Sequence, residues 1–513
     1  MEPGDDPAAG YEHAAALVAE LDAAPAWPLP REAKARAQAV FGRAFRKNED
    51  VDALKALAEW PSDRNYYPDA LARRISLGFA DFLFAEDFTL TLGEKVETGP
   101  YEDVITENRL PSRLHRAERI AISEGEVWWK LHRNIAISPV AMISFGSRRD
   151  VVPSFYGDRV IAAAFVSEVG TTTAVNDKGE PTSEAPRTVW RHVELHAAGL
   201  VWNLLYRGEP DKLGRRVELS EHASTAAYRE EWKHGLPMLA GRITNDLDDD
   251  DTLGESEYTG VKTHLFGLNE AITIGMENAR LTGKDRIMAA GKLVKGGTFD
   301  ASLDVFEVEQ DGATMGDSSG VPVVAIEKRY DAEPLWLHID KLVRLILSRV
   351  GLVAQVIGDV ENSGGSAESG VARRLMFLPT TNSARGKART WLGDLPKILA
   401  LMLKVPEVGG AVTGGELGEL PAVELRDPIP RDQSEEVTDH ATAVGAEIES
   451  RETAIREMHP EWTKQEVDDE LARIKADRED AMPEALRVPP PGGPEHEHGD
   501  PPPEPPDPLE DPE

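Results

Sequence analysis

The chain has 513 residues, 41% of them hydrophobic and 29% charged, enough for one large elaborated domain or two to four smaller ones. No run of about 18 or more apolar residues occurs, which excludes a membrane-spanning helix. The absence of cysteine excludes disulfides, thiolate nucleophiles and cysteine zinc sites, and it fits a reducing compartment. Fifty-seven Lys and Arg against 91 Asp and Glu leave a net charge of −34. A protein that grips DNA by neutralising phosphates needs the opposite sign on its contact surface. Such a balance suits plain solubility, or a protein that meets nucleic acid without holding it. The acidic start, Met1-Glu2-Pro3-Gly4-Asp5-Asp6, lacks a basic segment followed by an apolar one. No secretory signal is expected there, and the chain is expected to be made and kept in its host's cytoplasm.

The spacing predicts helices first: Tyr11–Leu21, ended by Pro25, Pro28 and Pro30, then 31–46, then Val51–Trp60, stopped by Pro61. Pro68 to Phe84 places Leu71, Ile75, Phe79 and Phe82 on one helical face, as a core-packing stripe. From Phe88 to Phe165 the period shifts towards two. Residues 121–131 read as a turn and a strand, and Val151–Val160 as a strand, a tight turn and another strand. Residues 187–206, with Val189, Trp190, Val193, Leu195 and Leu200, continue the β-rich region, and Asp246 to Asp251 form a charged loop. A helix is predicted over Tyr258–Leu281 with Gly283 as its C-cap, and another over Pro334–Val350 with proline in its first turn. Short strands and turns fill 284–331, so a small β-rich insert sits between two helices, the pattern of a stalk with a cap. Asp359–Ser366 reads as a flexible loop, and a helical stretch from Ala367 to Lys404 is expected to break at Pro379. Residues 432–477 read as helical: Ser450, Glu452 and Thr453 open one helix, and Thr463-Lys464-Gln465-Glu466 matches a capping box. The last 33 residues hold twelve prolines, nine acidic residues and one arginine, a composition expected to be disordered or polyproline-like.

Motifs for catalysis are missing. Gly283-Lys284, Gly291-Lys292 and Gly386-Lys387 lack both the upstream glycine and the hydroxyl of a phosphate-cradling loop, which argues against a P-loop motor ATPase. G-x-S-x-G, H-E-x-x-H and a dinucleotide fingerprint are absent as well. Three weaker features are weighed as solvated or structural. His496-Glu497-His498 lies in the tail. Asp246 to Asp251 lacks the spacing of a calcium loop. Glu124 and Glu126, beside Trp128 and Trp129, fall two apart on one expected strand, sharing a face rather than opposing each other across a sugar.

The order of these parts resembles phage portal proteins, particularly those of tailed phages of high-GC Gram-positive hosts. The likeness is carried by Asn65-Tyr66-Tyr67-Pro68 with the helix to Phe84, by the stretch 123–130 ending in Trp128-Trp129-Lys130, and by Val152-Pro153-Ser154-Phe155. It continues in Leu425–Asp432, in Ser450-Arg451-Glu452-Thr453-Ala454-Ile455 and in the run Glu466–Ile474, so that it spans roughly residues 60–480.

The resemblance implies an α+β portal-like subunit with an α/β wing, a two-helix stem, a small β-rich clip and a helical C-terminal crown, assembling as a ring. Mapped onto this chain, N-terminal helices and wing occupy 1–255, the first stem helix 256–283, the clip 284–333 and the second stem helix 334–352. The tunnel loop falls in 353–369, a return through the wing in 370–425, the crown in 426–480 and the acidic tail in 481–513. Implied with this are a homo-dodecameric channel at a capsid vertex of the virion and double-stranded DNA passing without sequence reading. Terminase large subunit, major capsid or scaffold protein and a head–tail adaptor are the implied partners. No membrane, catalytic residue, metal or cofactor is implied, and the chain is expected not to be an enzyme. Lys284, Arg286, Lys292, Lys295, Lys328, Arg329, Lys341, Arg344 and Arg349 are candidates for weak, salt-sensitive phosphate contacts in the channel. Asn362, Ser363, Gly364, Gly365 and Ser366 are candidates for the tunnel loop, where the glycines permit flexing. Two rival readings stand beside this one: a metal-dependent phage or bacterial hydrolase built around Asp246 to Asp251, and a non-channel scaffold using the proline-rich tail.

Overall fold

The N-terminal prolines act as their missing N–H groups dictate. Helix α1 (Pro7–Asp22) stops short of Pro25, and a 3-10 turn beginning at Pro30 leads into α2 (Ala33–Lys47). Asn48, in the left-handed region, ends α2, and the Asp50 side chain accepts from Ala53 N (2.9 Å) to cap α3 (Val51–Leu57). Helix α4 (Leu71–Phe84) buries Leu71, Ile75 and Phe79, as its stripe predicts. The computed structural model describes residues 7–84, 88–92, 99–173, 187–246, 252–282, 286–290, 305–308, 324–326, 332–358, 370–406, 417–425, 433–459, 462 and 464–480. The chain divides into two units, Met1–Ile429 and Pro430–Glu513.

In the first unit, strand β1 (Thr89–Thr91) is followed by helices α5 (Gly99–Asn108) and α6 (Leu110–Glu124). These helices correct the period-two reading of 88–165. Leu110, Leu114, Ala117 and Ala121 recur at helical spacing and are fully buried, and Pro111 sits in the first turn of α6, where its missing donor costs nothing. Gly125 (φ 93°) ends α6 and β2 (Glu126–His132) starts at once. Glu124 and Glu126 are therefore not on one strand: one closes a helix and the other opens a strand.

Strands β3 (Met142–Ser147), β4 (Val151–Tyr156), β5 (Arg159–Thr173), β6 (Arg187–Ala197), β7 (Leu200–Gly208), β8 (Arg215–Val217), β9 (Glu231–Lys233) and β10 (Ala240–Thr244) complete two antiparallel sheets. One has the order β10-β2-β3. The other is β4-β5-β6-β7-β8, with β9 pairing on β7. The hairpin predicted over Val151–Val160 and the β-rich stretch 187–206 are both present.

Next come α7 (Lys262–Thr282), strands β11 (Arg286–Ala290), β12 (Val305–Val308) and β13 (Val324–Ile326), and α8 (Glu333–Val350). Strand β11 pairs parallel with β12 and antiparallel with β13, so strands do lie between two helices, as the pattern predicts. Gly351 (φ 73°) caps α8 through its N–H to the Leu347 carbonyl. Helix α9 (Gly370–Lys404) then runs unbroken through Pro379 and Pro396, a correction to the expected break. A helical proline orphans the carbonyl four residues earlier, here Leu375 and Leu392. Both residues are exposed, so water can satisfy those carbonyls, while Ala384, Trp391, Leu395 and Ile398 hold the other face in the core. Strand β14 (Ala422–Glu424) closes the unit by pairing with β1.

Four apolar cores hold this unit together, the smallest formed by Trp128, Val151, Ala163, Met238 and Ala240; the other three are larger. Leu17 and Leu21 of α1 pack on Ala162, Val193, Leu195 and Leu204 of the larger sheet. Helices α5, α6 and α9 pack against the smaller sheet through Leu114, Trp129, Ile143, Trp391 and Leu395. The third core joins α2 to α4 with α7 and α8.

The second unit contains α10 (Gln433–Gly445), α11 (Arg451–Met458) and α12 (Lys464–Asp480). Ser450 caps α11 by accepting from Thr453 N (3.0 Å), as its sequence predicts. Thr463, the tail from 481 onwards and Gly283 lie outside the described residues.

Candidate functional site

Helices α7 and α8 form the frame of the site. Leu265, Leu268 and Ala271 of α7 meet Ile339, Ile346, Leu347 and Val350 of α8 in one core, together with Phe41, Phe45, Ile75 and Phe79. Two polar clamps fix α7 against the stretch Asn65-Tyr66-Tyr67-Pro68. Asn269 accepts from Asp69 N (2.8 Å) and donates to the Tyr66 hydroxyl (3.1 Å), and Thr273 accepts from Tyr67 N (2.9 Å). Buried amide and hydroxyl groups so paired fix the helix in both rotation and register.

The other faces of these helices are apolar in an uncommon measure. Ile274 and Met276 on α7, and Trp336 (52%), Leu337 (53%) and Leu345 on α8, are exposed. Of the predicted channel cations, Lys341, Arg344 and Arg349 lie exposed on α8, and Arg344 pairs with Asp340 (3.0 Å) one turn earlier. Arg286 opens β11. Lys284, Lys292, Lys295, Lys328 and Arg329 fall outside the described residues, as do Asn362, Ser363, Gly364, Gly365 and Ser366.

The sequence reading expects the helical stretch of α9 but does not single out its cations. The helix carries seven basic residues against one acidic in a chain whose net charge is −34. Arg374, Arg385 and Arg389 fall on one exposed face, and none makes an ion pair among the described residues. A local charge count would have found them. Lys387, between them in sequence, turns inward and is spent on structure: its Nζ bonds Glu257 and donates to Asn245 Oδ1 (2.8 Å). Close by, buried Glu118 accepts from Trp391 Nε1 (2.6 Å), and burial raises its pKa, opposed by that bond and by Lys387.

The Glu124/Glu126 pair is wholly committed to the fold. Glu124 accepts from Arg46 (2.8 Å) and from the Ser147 hydroxyl, and burial raises its pKa against both. Glu126 accepts from Trp128 Nε1 (2.9 Å) and Arg242 (3.2 Å) and lies 2.7 Å from Arg148 Nε, while Arg148 also pairs with buried Glu32. Every carboxylate oxygen of the pair has a protein donor, which leaves none for a substrate. Of the charged loop, Asp246 is described and exposed, its carbonyl accepting from Glu255 N (2.9 Å); 247–251 and His496-Glu497-His498 lie outside the described residues. In the second unit His440, Glu449 and Glu457 bring ligand atoms within 4.8 Å of one another. The two imidazole nitrogens face different carboxylates, Nδ1 at 2.9 Å from Glu449 and Nε2 at 4.0 Å from Glu457, so the ring ties α10 to α11 and the turn before it.

Two helices bracketing a small three-stranded unit, with α7 locked to an N-terminal helical layer, define the part of the chain that comparison with known families recognises. Residues 249–484 match the family "Phage portal protein, SPP1 Gp6-like". Among solved structures, a chain from the virion of a native gene transfer agent particle aligns with 79% of this chain and 97% of its own length, at 12% identity and a TM-score of 0.39. No curated protein gives a significant match.

Proposed function

We propose that the chain is the portal subunit of a tailed phage or related particle: a non-enzymatic member of a ring, twelve copies in the simplest case, set at a capsid vertex. Double-stranded DNA passes through the ring during packaging and ejection. Terminase large subunit docks during packaging and a head–tail adaptor afterwards, with capsid or scaffold protein around the rim. In this reading α7 and α8 are the stem, β11 to β13 belong to the clip, 353–369 holds the tunnel loop, α9 begins the return through the wing, and α10 to α12 form the crown.

The observation that carries the reading is the family match over 249–484, which encloses the whole α7–strands–α8 unit. Two further features support it. The exposed apolar side chains of α7 and α8 suit burial against neighbouring subunits, since faces of this kind on a monomer mark protein contacts. The strongly acidic chain suits a channel that repels a passing polyanion, with a few cations giving weak contacts.

The test is the native mass of the purified full-length chain, with negative-stain imaging of the same sample. A ring of about twelve or thirteen chains with a central hole is expected, by analogy to closed cyclic oligomers. A species that stays monomeric or dimeric at high concentration, with capsid or scaffold protein present, overturns the ring.

A further inference from the structure

A cavity of about 500 Å³ lies in the first unit between α2, β2, β5 and β6, and its walls carry Arg36, Lys130, Arg149, Glu168, Arg191 and Glu194. Its charges do not balance internally. Lys130 is matched by Glu194, and Arg149 by the neighbouring Asp150 (3.0 Å). That leaves two guanidinium groups, Arg36 and Arg191, sharing one carboxylate, Glu168, which stands 3.6 Å from Arg191 and is mostly exposed.

Arg191 is the unusual member. Only 1% of it is exposed, and its two terminal nitrogens donate to backbone carbonyls: Nη1 to Glu209 (2.9 Å) and Lys212 (2.8 Å), and Nη2 to Pro210 (2.9 Å). Its Nε is buried with no partner among the described residues. Arg36 is likewise held by a carbonyl, that of Arg149 (2.7 Å). Both guanidiniums have pKa values pushed down, first by burial; Asp150 opposes the shift at Arg36 and Glu168 opposes it at Arg191, while Arg149 and Arg36 respectively add to it. Four cations on the walls face the three carboxylates Asp150, Glu168 and Glu194, one positive charge in excess, and a buried charge short of a counterion is costly.

We propose that this cavity binds a phosphate group, with Arg36 and Arg191 as its principal ligands and Arg149 at its edge. A tetrahedral oxyanion takes hydrogen bonds from several arginine forks at once, which is the geometry guanidinium groups favour. The volume admits more than one phosphate, so a diphosphate or a nucleotide's phosphate end also fits. The site is remote in sequence from the segment assigned to the portal family and does not depend on that assignment.

The experiment titrates inorganic phosphate and pyrophosphate into the full-length protein by calorimetry, with a parallel thermal-shift series against sodium chloride of equal ionic strength. Saturable binding is expected, with a rise in melting temperature that chloride does not reproduce. Arg36→Gln is expected to weaken pyrophosphate binding at least tenfold while leaving the anion-free melting temperature unchanged or raised, because it relieves a like-charge neighbour. Arg191→Lys keeps the charge but loses the fork and is expected to weaken binding too. No binding in the parent protein, or identical titrations for the parent and Arg36→Gln, overturns the proposal. A short DNA duplex separates the two sources of phosphate. Displacement of pyrophosphate by the duplex assigns the site to the nucleic-acid backbone, and its failure assigns it to a soluble phosphate compound.

Discussion

Gly125 and Gly254 pack backbone to backbone: a Cβ built on Gly125 would lie 2.2 Å from the Gly254 carbonyl oxygen, and one on Gly254 2.2 Å from that of Gly125. This contact is where the end of α6 and the start of β2 pass the segment leading to α7. Gln38 spans it, its Nε2 donating to the carbonyls of Glu124 (3.0 Å) and Gly254 (2.6 Å). The approach of two chains at this distance has no room for any side chain. Gly125 also has φ 93°, which an L-residue adopts only with strain.

Gly254→Ala isolates the steric part, and Gly125→Ala adds the backbone part. Each is expected to destabilise the first unit by more than about 2 kcal/mol, with Gly125→Ala the worse. Urea unfolding followed by tryptophan fluorescence checks this. Equal midpoints for the parent and Gly125→Ala would show that the two segments separate without cost.

Arg148 ties α2's entry to β2 by pairing with Glu32 and Glu126, all three side chains being nearly inaccessible. Arg148→Met removes the cation shared by two buried carboxylates, leaving Glu32 with Arg31 and Glu126 with Arg242, a loss of about 3–5 kcal/mol. The exposed pair Arg31–Glu20 is the internal control: Glu20→Gln is expected to cost less than about 1 kcal/mol, because water and salt already screen it. Denaturant midpoints of the two variants, measured side by side, should differ severalfold in their shift from the parent. Similar shifts would refute the claim that burial sets the scale.

The stripes of α4, α7 and α8 are legible because each helix keeps its exposed positions to one side, Arg73, Arg74 and Asp81 on α4, so burial imposes a period near 3.6 on its sequence. Helices α5 and α6 obscured that signal. The adjoining Trp128-Trp129 attracts a strand reading, and α6 passes into β2 across the single residue Gly125. That Glu124 and Glu126 are structural is legible, but their partners are not, since these come from distant chain positions; Arg242 and Glu126 are 116 residues apart. Of the candidate site, the cations on α8 could be read from helical periodicity. The arginines of α9 are not among the sequence candidates; one helix continuous through Pro379 aligns Arg374 with Arg385 and Arg389.

His234 is fully buried, and burial pushes its pKa down to about 3, from an ordinary 6.5. Its Nδ1 accepts from Leu236 N (3.2 Å), so the neutral ring is the one the fold holds. His132 and His192 are shifted in the same direction, also chiefly by burial. The unfolded chain therefore takes up protons that the folded chain refuses. Stability is whole above pH 6.5 and falls as the pH drops through the window from 6.5 towards 3. One such group contributes about 1.4 kcal/mol per pH unit well inside that window. His234→Asn, which keeps an acceptor for Leu236, is expected to flatten the slope of unfolding free energy between pH 6.5 and 5. An unchanged slope would assign the acid sensitivity to other groups.

Lys341, Arg344 and Arg349 on α8 and Arg374, Arg385 and Arg389 on α9 are two separate sets of exposed cations, and charge reversal of the background makes each countable. Replacing the α8 set with glutamine should hardly disturb folding, because its ion pair Arg344–Asp340 is exposed and worth well under about 1 kcal/mol. If these residues meet DNA in the ring, the logarithm of DNA affinity falls less steeply with the logarithm of salt, by about 0.9 for each phosphate contact removed. The loss should be the same for unrelated duplex sequences, since phosphate contacts carry no base information. The same measurement on the α9 set distinguishes a channel-facing helix from one that meets a neighbouring subunit. A reduced salt slope places its arginines on DNA, whereas an unchanged slope with a smaller assembled mass places them in a contact between copies of the chain. A salt slope unaltered by both sets would leave the phosphate backbone without a partner on either helix and would sink the assignment of α8 to the channel wall.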